Sequence, residues 1–269
     1  MLAFVTSSML AVGLNLTVRE VLAPLRNRKL VALALLANFV LIPLGAFAIE
    51  KLLHLDQSLG VGLLLLGTAA GAPFLPKLAQ IAEANLAFAV GLMVLLMVVT
   101  VGYMPLVLPL LLEGVSVDPM KIASSLVLLM LLPLALGLAM NARFSVAAAR
   151  AKPLLDILSN LSLVLLTVLI WVVNFDKVIA IFGTRGILAG IFFIALGFGV
   201  GHILGGPALE TRRVLALGTA QRNIAAALLV GGQNFSDPRV VVMLIVVSIV
   251  GMLVLLPLAR VLAKRNEAL

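Results

Sequence analysis

Residues 215–232, which read LALGTAQRNIAAALLVGG, place an arginine near the centre of an apolar helical segment. A charged side chain at the centre of a bilayer costs at least about 2.5–3.5 kcal/mol. Arg222 therefore faces protein or water within a membrane, or the segment lies outside a membrane. The composition of the rest of the chain separates these alternatives.

The composition is that of a membrane protein. Hydrophobic residues make up 63% of the chain and charged residues 11%, whereas soluble domains are about 45–50% apolar. So few polar residues cannot cover a soluble globule of this size. The absence of cysteine excludes disulfides, thiolate metal ligands and thiol catalysis. We therefore predict an all-α polytopic membrane protein.

Nine apolar segments approach the length of about 20 residues that a helix needs to cross a bilayer. They are approximately 2–18, 30–53, 58–82, 85–112, 120–141, 154–174, 178–206, 214–233 and 239–262. Short loops join them, so we expect one transmembrane domain covering 1–269.

Basic residues predict the orientation of these segments. With the N-terminus outside, most of the 19 basic residues lie on the inner side, as cytoplasmic loops require. The net charge of +8 then reflects topology and attraction to the lipid bilayer, and no nucleic-acid partner is expected. We predict a multi-pass plasma-membrane protein with a cytoplasmic C-terminus. The compact chain, in which no targeting peptide is recognised, favours a bacterial inner membrane.

Two segments of the chain resemble each other. GTAAGAPFLPK at 67–77 is similar to GTAQRNIAAAL at 218–228, and each precedes an apolar helix that ends in a similar phrase. Because the two segments cross the predicted membrane in opposite directions, they indicate an inverted repeat. The first repeat then covers 1–112 and lacks one helix, and the second covers 117–265.

Glycine and proline interrupt the first of these segments at Gly67, Gly71, Pro73 and Pro76. Freed backbone groups at membrane depth are tolerated only where they face protein or a wet cavity. A simple kink is the alternative. The similar segment in the other half favours a discontinuous helix in each half, and such helices mark the binding site of many transporters.

The order and spacing of five phrases resemble the bile acid:sodium symporter family. They are MLAVGLNLTVREV (9–21), LLANFVLIPLGAF (35–47), GTAAGAP (67–73), VDPMKIASSLVLLMLLPLALGL (117–138) and GTAQRNIAAALL (218–229). The resemblance implies a transporter, not an enzyme, in which two broken helices cross near the midplane. It also implies that the crossing helices and their neighbours move against a panel built from spans 2–18, 154–174 and 178–206.

The chain departs from the family at the positions that the resemblance implies for sodium ligands. The family's acidic residue falls on Leu217, and the asparagine after Gln221 falls on Arg222. A Ser-Asn pair falls on Ala70 and Gly71. The family's hydroxyl ligands fall near Met93 and Met97, and a glutamine becomes Asn38. We therefore expect the usual two-sodium coupling to be absent, and we expect no cofactor.

Arg222 is the main candidate for a functional residue. Thr219, Arg222 and Asn223 have the i, i+3, i+4 spacing that places side chains on one helix face. A guanidinium group suits bidentate recognition of a carboxylate. Arg222 either contacts an anionic substrate or holds the crossing together through backbone carbonyls.

Other polar or helix-breaking residues complete the predicted site. The predicted substrate- or ion-binding residues are Arg222, Gln221, Asn223, Thr219, Asn38, Thr68, Gly71, Pro73 and Lys77. Asn38 and Gln221 either bind a ligand or satisfy freed backbone groups. The Lys77 ammonium group either takes the place of the second sodium ion or extends to the cytoplasmic membrane interface near Glu83. Thr6, Ser7 and Asn15 are expected to face the same cavity, and no metal site is expected.

The predicted function is secondary active or facilitative transport of organic anions, either small carboxylates or bile-acid-like amphipathic acids. The protein would work by alternating access as a monomer or homodimer. Uniport or exchange is favoured over proton symport, because no acidic residue lies near the predicted midplane. The alternatives are a sodium-coupled symporter with a non-standard ion site, a cation/proton antiporter of related fold, and a membrane scaffold that does not transport.

Overall fold

In a computed structural model, the chain is described over residues 2–17, 19–20, 27–112, 118–173, 175–176, 181 and 183–264, and the regular elements in these ranges are all helices. They are α1 (Leu2–Leu14), α2 (Arg28–Leu52), α3 (Gln57–Thr68), α4 (Leu75–Ile81), α5 (Leu86–Leu111), α6 (Pro119–Arg143), α7 (Ser145–Val173), α8 (Gly186–Leu204), α9 (Leu209–Ala220), α10 (Ile224–Asn234) and α11 (Pro238–Lys264).

The all-α polytopic fold is confirmed. Within the described residues, seven helical segments are long and apolar enough to cross a membrane, with α9 and α10 taken together as Leu209–Asn234. Two predicted spans, 2–18 and 58–82, contain shorter helices. The start of the predicted span 178–206 lies partly outside the described residues. The count of nine spans therefore stays a prediction.

Both predicted discontinuous helices are interrupted. α3 ends at Thr68 and α4 begins at Leu75, while α9 ends at Ala220 and α10 begins at Ile224. We call residues 69–74 and 221–223 together the crossover. The continuous helix face expected for Thr219, Arg222 and Asn223 is wrong. The backbone leaves helical geometry at residue 221.

Gly71 allows the first interruption to approach α5 closely. Its φ of 80° is left-handed, which favours glycine. A Cβ atom there would lie 2.3 Å from the amide nitrogen of Met97 and 2.8 Å from the carbonyl oxygen of Met93. Any side chain at this position would therefore push the crossover away from α5.

Helices α2 and α6 each contain a π-helical turn, at Ala37–Leu41 and Val127–Leu131. Each turn lies just before a proline, Pro43 or Pro133. Because proline has no N–H group and clashes with the preceding turn, a wider turn accommodates it. Carbonyl groups of the turn in α2 are then available to partners outside that helix.

The helices pack in two groups. The most extensive contacts of α1 are with α6 and α7, and these three form the three-helix group. The remaining helices, α2–α5 and α8–α11, form the crossover group. The expectation that span 178–206 belongs to the panel is wrong, because α8 packs mainly against α9, α11 and α2. Gly197 and Gly201 permit this packing, since a Cβ atom at either would overlap the backbone of α9.

The two ends of the helix bundle differ in charge. One end, where α6 finishes and α7 begins, carries Arg143, Arg150, Lys152, Arg212 and Arg260, and we call it the basic end. At the opposite end Arg239 forms ion pairs with Asp56 and Asp237, which joins the starts of α3 and α11. The hydrogen bond from Arg239 lowers the pKa of the Asp237 carboxyl well below its usual value.

Candidate functional site

The guanidinium group of Arg222 lies in the crossover and donates hydrogen bonds to both interrupted helices. Its Nε donates to the Leu66 carbonyl at 2.9 Å, and its Nη2 donates to the Gly67 carbonyl at 2.7 Å. Its Nη1 donates to Asn38 Oδ1 at 2.7 Å. Longer contacts reach the carbonyls of Thr219 at 3.4 Å and Asn38 at 3.5 Å. All five N–H groups therefore have an oxygen acceptor.

The positive charge of Arg222 lies where two helices end. Leu66 and Gly67 belong to the last turn of α3, and Thr219 belongs to the last turn of α9. Helix C-termini carry about half a negative charge through their free carbonyls. No carboxylate among the described residues forms an ion pair with Arg222. Its charge is stabilised by neutral dipoles, although the residue is only 7% exposed.

Asn38 connects α2 to the crossover and is fully buried. Its Nδ2 donates to the Ala34 carbonyl at 3.0 Å and to Thr219 Oγ1 at 3.2 Å. Its Oδ1 and its carbonyl oxygen both accept from Arg222. Both donors and the side-chain acceptor of the amide therefore have partners within the protein.

Asn223 joins the two interruptions to each other. Its backbone N–H donates to the Ala69 carbonyl at 2.9 Å, and its Nδ2 donates to the Gly71 carbonyl at 3.0 Å. Its Oδ1 accepts from the Ala226 N–H at 3.1 Å, which caps the N-terminus of α10. One residue thus satisfies backbone groups of both broken helices.

Sequence reasoning missed two residues of α5 that also support the crossover. Thr100 Oγ1 accepts from the Ala70 N–H at 3.0 Å and contacts the Ala70 carbonyl at 3.1 Å. The Tyr103 hydroxyl donates to the Phe39 carbonyl, in the π-helical turn, at 2.5 Å. The available signal was two polar residues three positions apart in an otherwise apolar segment, since this spacing places them on one helix face.

A cavity of about 1620 Å³ lies between the three-helix group and the crossover group. Arg222 and Gln221 line it at the crossover, while Lys152, Arg260 and Glu20 line it at the basic end. Arg260 forms no hydrogen bond or ion pair that the structure describes. The cavity therefore connects the crossover with the basic end of the bundle.

The wall that α7 contributes to this cavity is polar. Lys152, Asp156, Ser159, Asn160 and Thr167 follow one another at helical spacing and all line the cavity. Lys152 and Asp156 form an ion pair at 3.9 Å. Apolar side chains of α8 and α11 line other parts of the cavity. The cavity thus combines a polar wall with apolar surfaces.

The predicted site residues fall into two sets. Pro73, Lys77, Gln221 and Arg222 line the cavity. The other predicted residues, which are Asn38, Thr68, Gly71, Thr219 and Asn223, are buried behind it. Of the three additional residues expected to face the cavity, Asn15 does so, whereas Thr6 and Ser7 hydrogen-bond within α1.

The hydrogen bonds of three predicted residues differ between the buried set and the set that lines the cavity. Thr68 Oγ1 is within 3.0 Å of the Leu64 carbonyl, one turn back in α3. Lys77 Nζ donates to Gln80 Oε1 at 3.1 Å and forms no ion pair with Glu83. Gln221 Oε1 is buried without a hydrogen-bond partner among the described residues. Gln221 therefore lines the cavity and carries an unpaired acceptor that is buried at the crossover.

Interrupted helices that cross beside a cavity are the architecture of secondary transporters. The chain belongs to the sodium bile acid symporter family, whose sequence profile matches residues 2–181. This family is the one that the resemblance predicted.

Individual relatives are plant proteins of the same kind. The chain is 25% identical over 273 residues to the probable sodium/metabolite cotransporter BASS5, chloroplastic, of Arabidopsis thaliana. This alignment covers 96% of the chain and 67% of that protein. It is 26% identical over 245 residues to BASS6 of the same plant, covering 86% and 60%. It is 24% identical over 239 residues to BASS1 of Oryza sativa subsp. japonica, covering 87% and 58%. The chain thus spans about three fifths to two thirds of these relatives, whose names indicate a transporter and not an enzyme.

Proposed function

We propose that the protein is a secondary transporter of organic anions that works by alternating access without the usual two-sodium coupling. Its substrates would be small carboxylates or amphipathic acids similar to bile acids. The observation that carries the proposal is the buried cation of Arg222, which lines the cavity and whose acceptors among the described residues are all neutral oxygens.

A fixed positive charge at this position favours an anion in the cavity. Two opposite charges attract each other far more strongly in a protein interior than in water. Because the N–H groups of Arg222 already have acceptors, the guanidinium would act mainly through its charge. Direct hydrogen bonds to the substrate would come from Gln221 and from the polar wall of α7, notably Ser159 and Asn160.

The same fixed charge removes the need for a metal cation to bind at the crossover. Carbonyl groups at converging helix C-termini repel each other unless a positive charge lies between them. Arg222 supplies that charge permanently through its bonds to Leu66, Gly67 and Asn38. Transport would then be driven by the gradient of the substrate or by exchange.

The positive-inside rule supports a cytoplasmic location for the basic end. The cavity, which extends from the crossover to this end, would then be open to the cytoplasm. The N-terminus would lie outside and the C-terminus inside. In this account 1–269 forms one transmembrane domain, with the repeats at 1–112 and 117–265.

Alternating access would require the three-helix group and the crossover group to separate at the opposite end. There Lys121 Nζ of α6 donates to the Gln233 carbonyl of α10 at 2.8 Å. Ser125 Oγ donates to Gln233 Oε1 at 2.5 Å. These hydrogen bonds join the two groups and would keep the path closed on the outer side while the cavity faces inward.

Sodium-coupled transport of the same substrates is the main alternative. The relatives are named sodium/metabolite cotransporters, and the unpaired Oε1 of Gln221 could coordinate a cation. A cation/proton antiporter is less favoured. The acidic residues that line the cavity, Glu20 and Asp156, lie at the basic end rather than at the crossover.

Thermal unfolding of the purified protein tests the proposal. It would be measured in sodium and in potassium buffer, each with taurocholate, pyruvate and citrate as probe anions. A ligand at 100 times its dissociation constant stabilises the folded state by about 2.7 kcal/mol. We expect an equal shift in both salts for at least one anion. A shift that requires sodium would support the alternative.

A further inference from the structure

A second concavity, which is shallow and largely open, lies outside the transport cavity at the corner between α6 and α7. α6 ends at Arg143 and α7 begins at Ser145, so the chain reverses direction at a single residue, Phe144. The concavity has a volume of about 660 Å³ and includes the side of the first turns of α7. Its lining includes Arg143, Phe144, Val146, Arg150 and Leu154. We call it the corner groove.

The two arginines give the corner groove its charge. Arg143 and Arg150 are both exposed, and neither has a hydrogen bond or ion pair in the part of the chain that the structure describes. No acidic residue lines the groove. The nearby Asp156 instead pairs with Lys152, on the side of α7 that faces the transport cavity. The corner groove therefore presents two guanidinium groups without a counter-charge.

Apolar side chains surround these two charges. Phe144 is 65% exposed, Val146 66% and Leu154 71%. Few residues of α7 are buried by other helices. Because α7 has the length and composition of a membrane span, lipid would cover its exposed face, and the groove would lie where that face reaches the polar boundary of the bilayer.

We propose that the corner groove binds the headgroup of an anionic phospholipid from the leaflet that surrounds the basic end. The guanidinium forks of Arg143 and Arg150 match the geometry of a phosphate group. The exposed Phe144, Val146 and Leu154 would contact the glycerol and the first part of the acyl chains. This pairing of charge with apolar surface fits a lipid better than a free phosphate ion.

The bound lipid would hold the three-helix group in the bilayer. The groove is built from α6 and α7 alone, and the crossover group contributes no residue to it. A lipid there would anchor one group while the other moves. The proposal rests on the membrane-spanning fold and does not depend on which substrate is carried or on the coupling ion.

Thermal unfolding in detergent with added lipid tests the site. The probes are dioleoylphosphatidylglycerol, dioleoylphosphatidylcholine and soluble glycerol 3-phosphate. We expect the anionic lipid to raise Tm by a few degrees, while phosphatidylcholine and glycerol 3-phosphate have little effect. The doubly substituted Arg143→Gln/Arg150→Gln protein is expected to need at least tenfold more phosphatidylglycerol for the same shift. Arg28→Gln, which removes an exposed arginine at the start of α2, is expected to respond like the wild type.

Several results would overturn the proposal. Equal shifts with phosphatidylglycerol and phosphatidylcholine would show that no anionic headgroup is recognised. A full shift with glycerol 3-phosphate would indicate a site for a soluble phosphate. An equal loss in Arg28→Gln would indicate general charge attraction only. If the double variant does not fold, the Arg143→Lys/Arg150→Lys protein is used instead. This protein keeps both positive charges but loses the planar guanidinium groups, and its retention of lipid is measured by native mass spectrometry. Unchanged retention of phosphatidylglycerol by that variant would contradict the site.

Discussion

Arg222 Nη1 and Asn38 Oδ1 are joined by a hydrogen bond of 2.7 Å, although the two residues are 184 positions apart in the chain. The bond connects the interruption between α9 and α10 to the π-helical turn of α2. Tyr103 holds the next carbonyl of the same turn. The crossover is therefore part of a polar network that also includes Asn38 of α2 and Tyr103 of α5.

Replacing Arg222 by glutamine should strongly destabilise the protein. Oxygen atoms of Leu66, Gly67 and Asn38 would lose a charged donor while remaining buried. Leaving a buried polar group without its partner costs about 1–3 kcal/mol, and because the new amide can still pair with some of these oxygens we expect a total of about 3–5 kcal/mol. We expect Tm to fall by about 6–20 °C, at about 2–4 °C per kcal/mol for a chain of this size. Gln80→Ala, which removes an exposed amide of α4 that lines the same cavity, serves as a control and should change Tm little.

A smaller residue at position 222 should make the protein respond to cations. In Arg222→Asn, the oxygens that accept from the guanidinium would be free to coordinate a monovalent cation at the helix C-termini. We expect sodium chloride to raise the Tm of this variant more than choline chloride does, and to leave the wild-type Tm unchanged. Equal behaviour of the two proteins in both salts would argue against a cation position at the crossover.

The contact between α1 and α6 should be intolerant of any added side chain. A Cβ atom on Gly13 would lie 2.3 Å from the Leu134 carbonyl oxygen, and one on Gly137 would lie 2.5 Å from the Leu10 carbonyl oxygen. We expect Gly13→Ala and Gly137→Ala each to lower stability by about 1–3 kcal/mol through overpacking. Gly199→Ala is the matched control, because a Cβ atom there meets nothing within 4 Å. Similar Tm values for all three variants would contradict this packing.

Weakening the contact at the opposite end should shift the protein toward the outward-facing state. Ser125→Ala removes the donor to Gln233 Oε1 and should destabilise the closed outer side by about 1 kcal/mol. We expect a cysteine introduced at Ile122, which is buried one turn before Ser125 in α6, to react faster with a membrane-impermeant maleimide in Ser125→Ala. Ser124→Ala is the control, since Ser124 bonds only to Lys121 of its own helix. An unchanged reaction rate would show that Ser125 does not hold the outer side closed.

The sequence predicted the fold because composition and repetition act over long stretches. The hydrophobic content excluded a soluble domain, and the glycine and proline residues at 67–76 located the first interruption. The second interruption has no proline, and its break at residues 221–223 depends on tertiary bonds such as that from Asn223 to the Ala69 carbonyl. The repeat therefore predicted an interruption here, but the i, i+3, i+4 spacing wrongly placed Thr219, Arg222 and Asn223 on one helix face.

The predicted assignment of α8 to the panel, the group of helices against which the crossing helices move, was wrong for a related reason. It rested on the family resemblance, whereas the packing of α8 depends on Gly197 and Gly201, which allow close approach to the backbone of α9. A segment containing Gly-x-Gly residues indicates close helix contact, but it does not specify the partner helix. Likewise the polarity of Thr100 and Tyr103 was visible in the sequence, but their acceptors belong to distant parts of the chain.

The central claim is that the guanidinium group of Arg222 takes the place of a bound sodium ion at the crossover of an organic-anion transporter. Uptake into proteoliposomes tests it most directly, with radiolabelled taurocholate, pyruvate and citrate and an inward gradient of either sodium or potassium. The account predicts uptake of at least one anion at equal rates under both gradients, and loss of that uptake in Arg222→Gln protein that is still folded. Uptake that occurs only with a sodium gradient, or that is retained in folded Arg222→Gln, would contradict it.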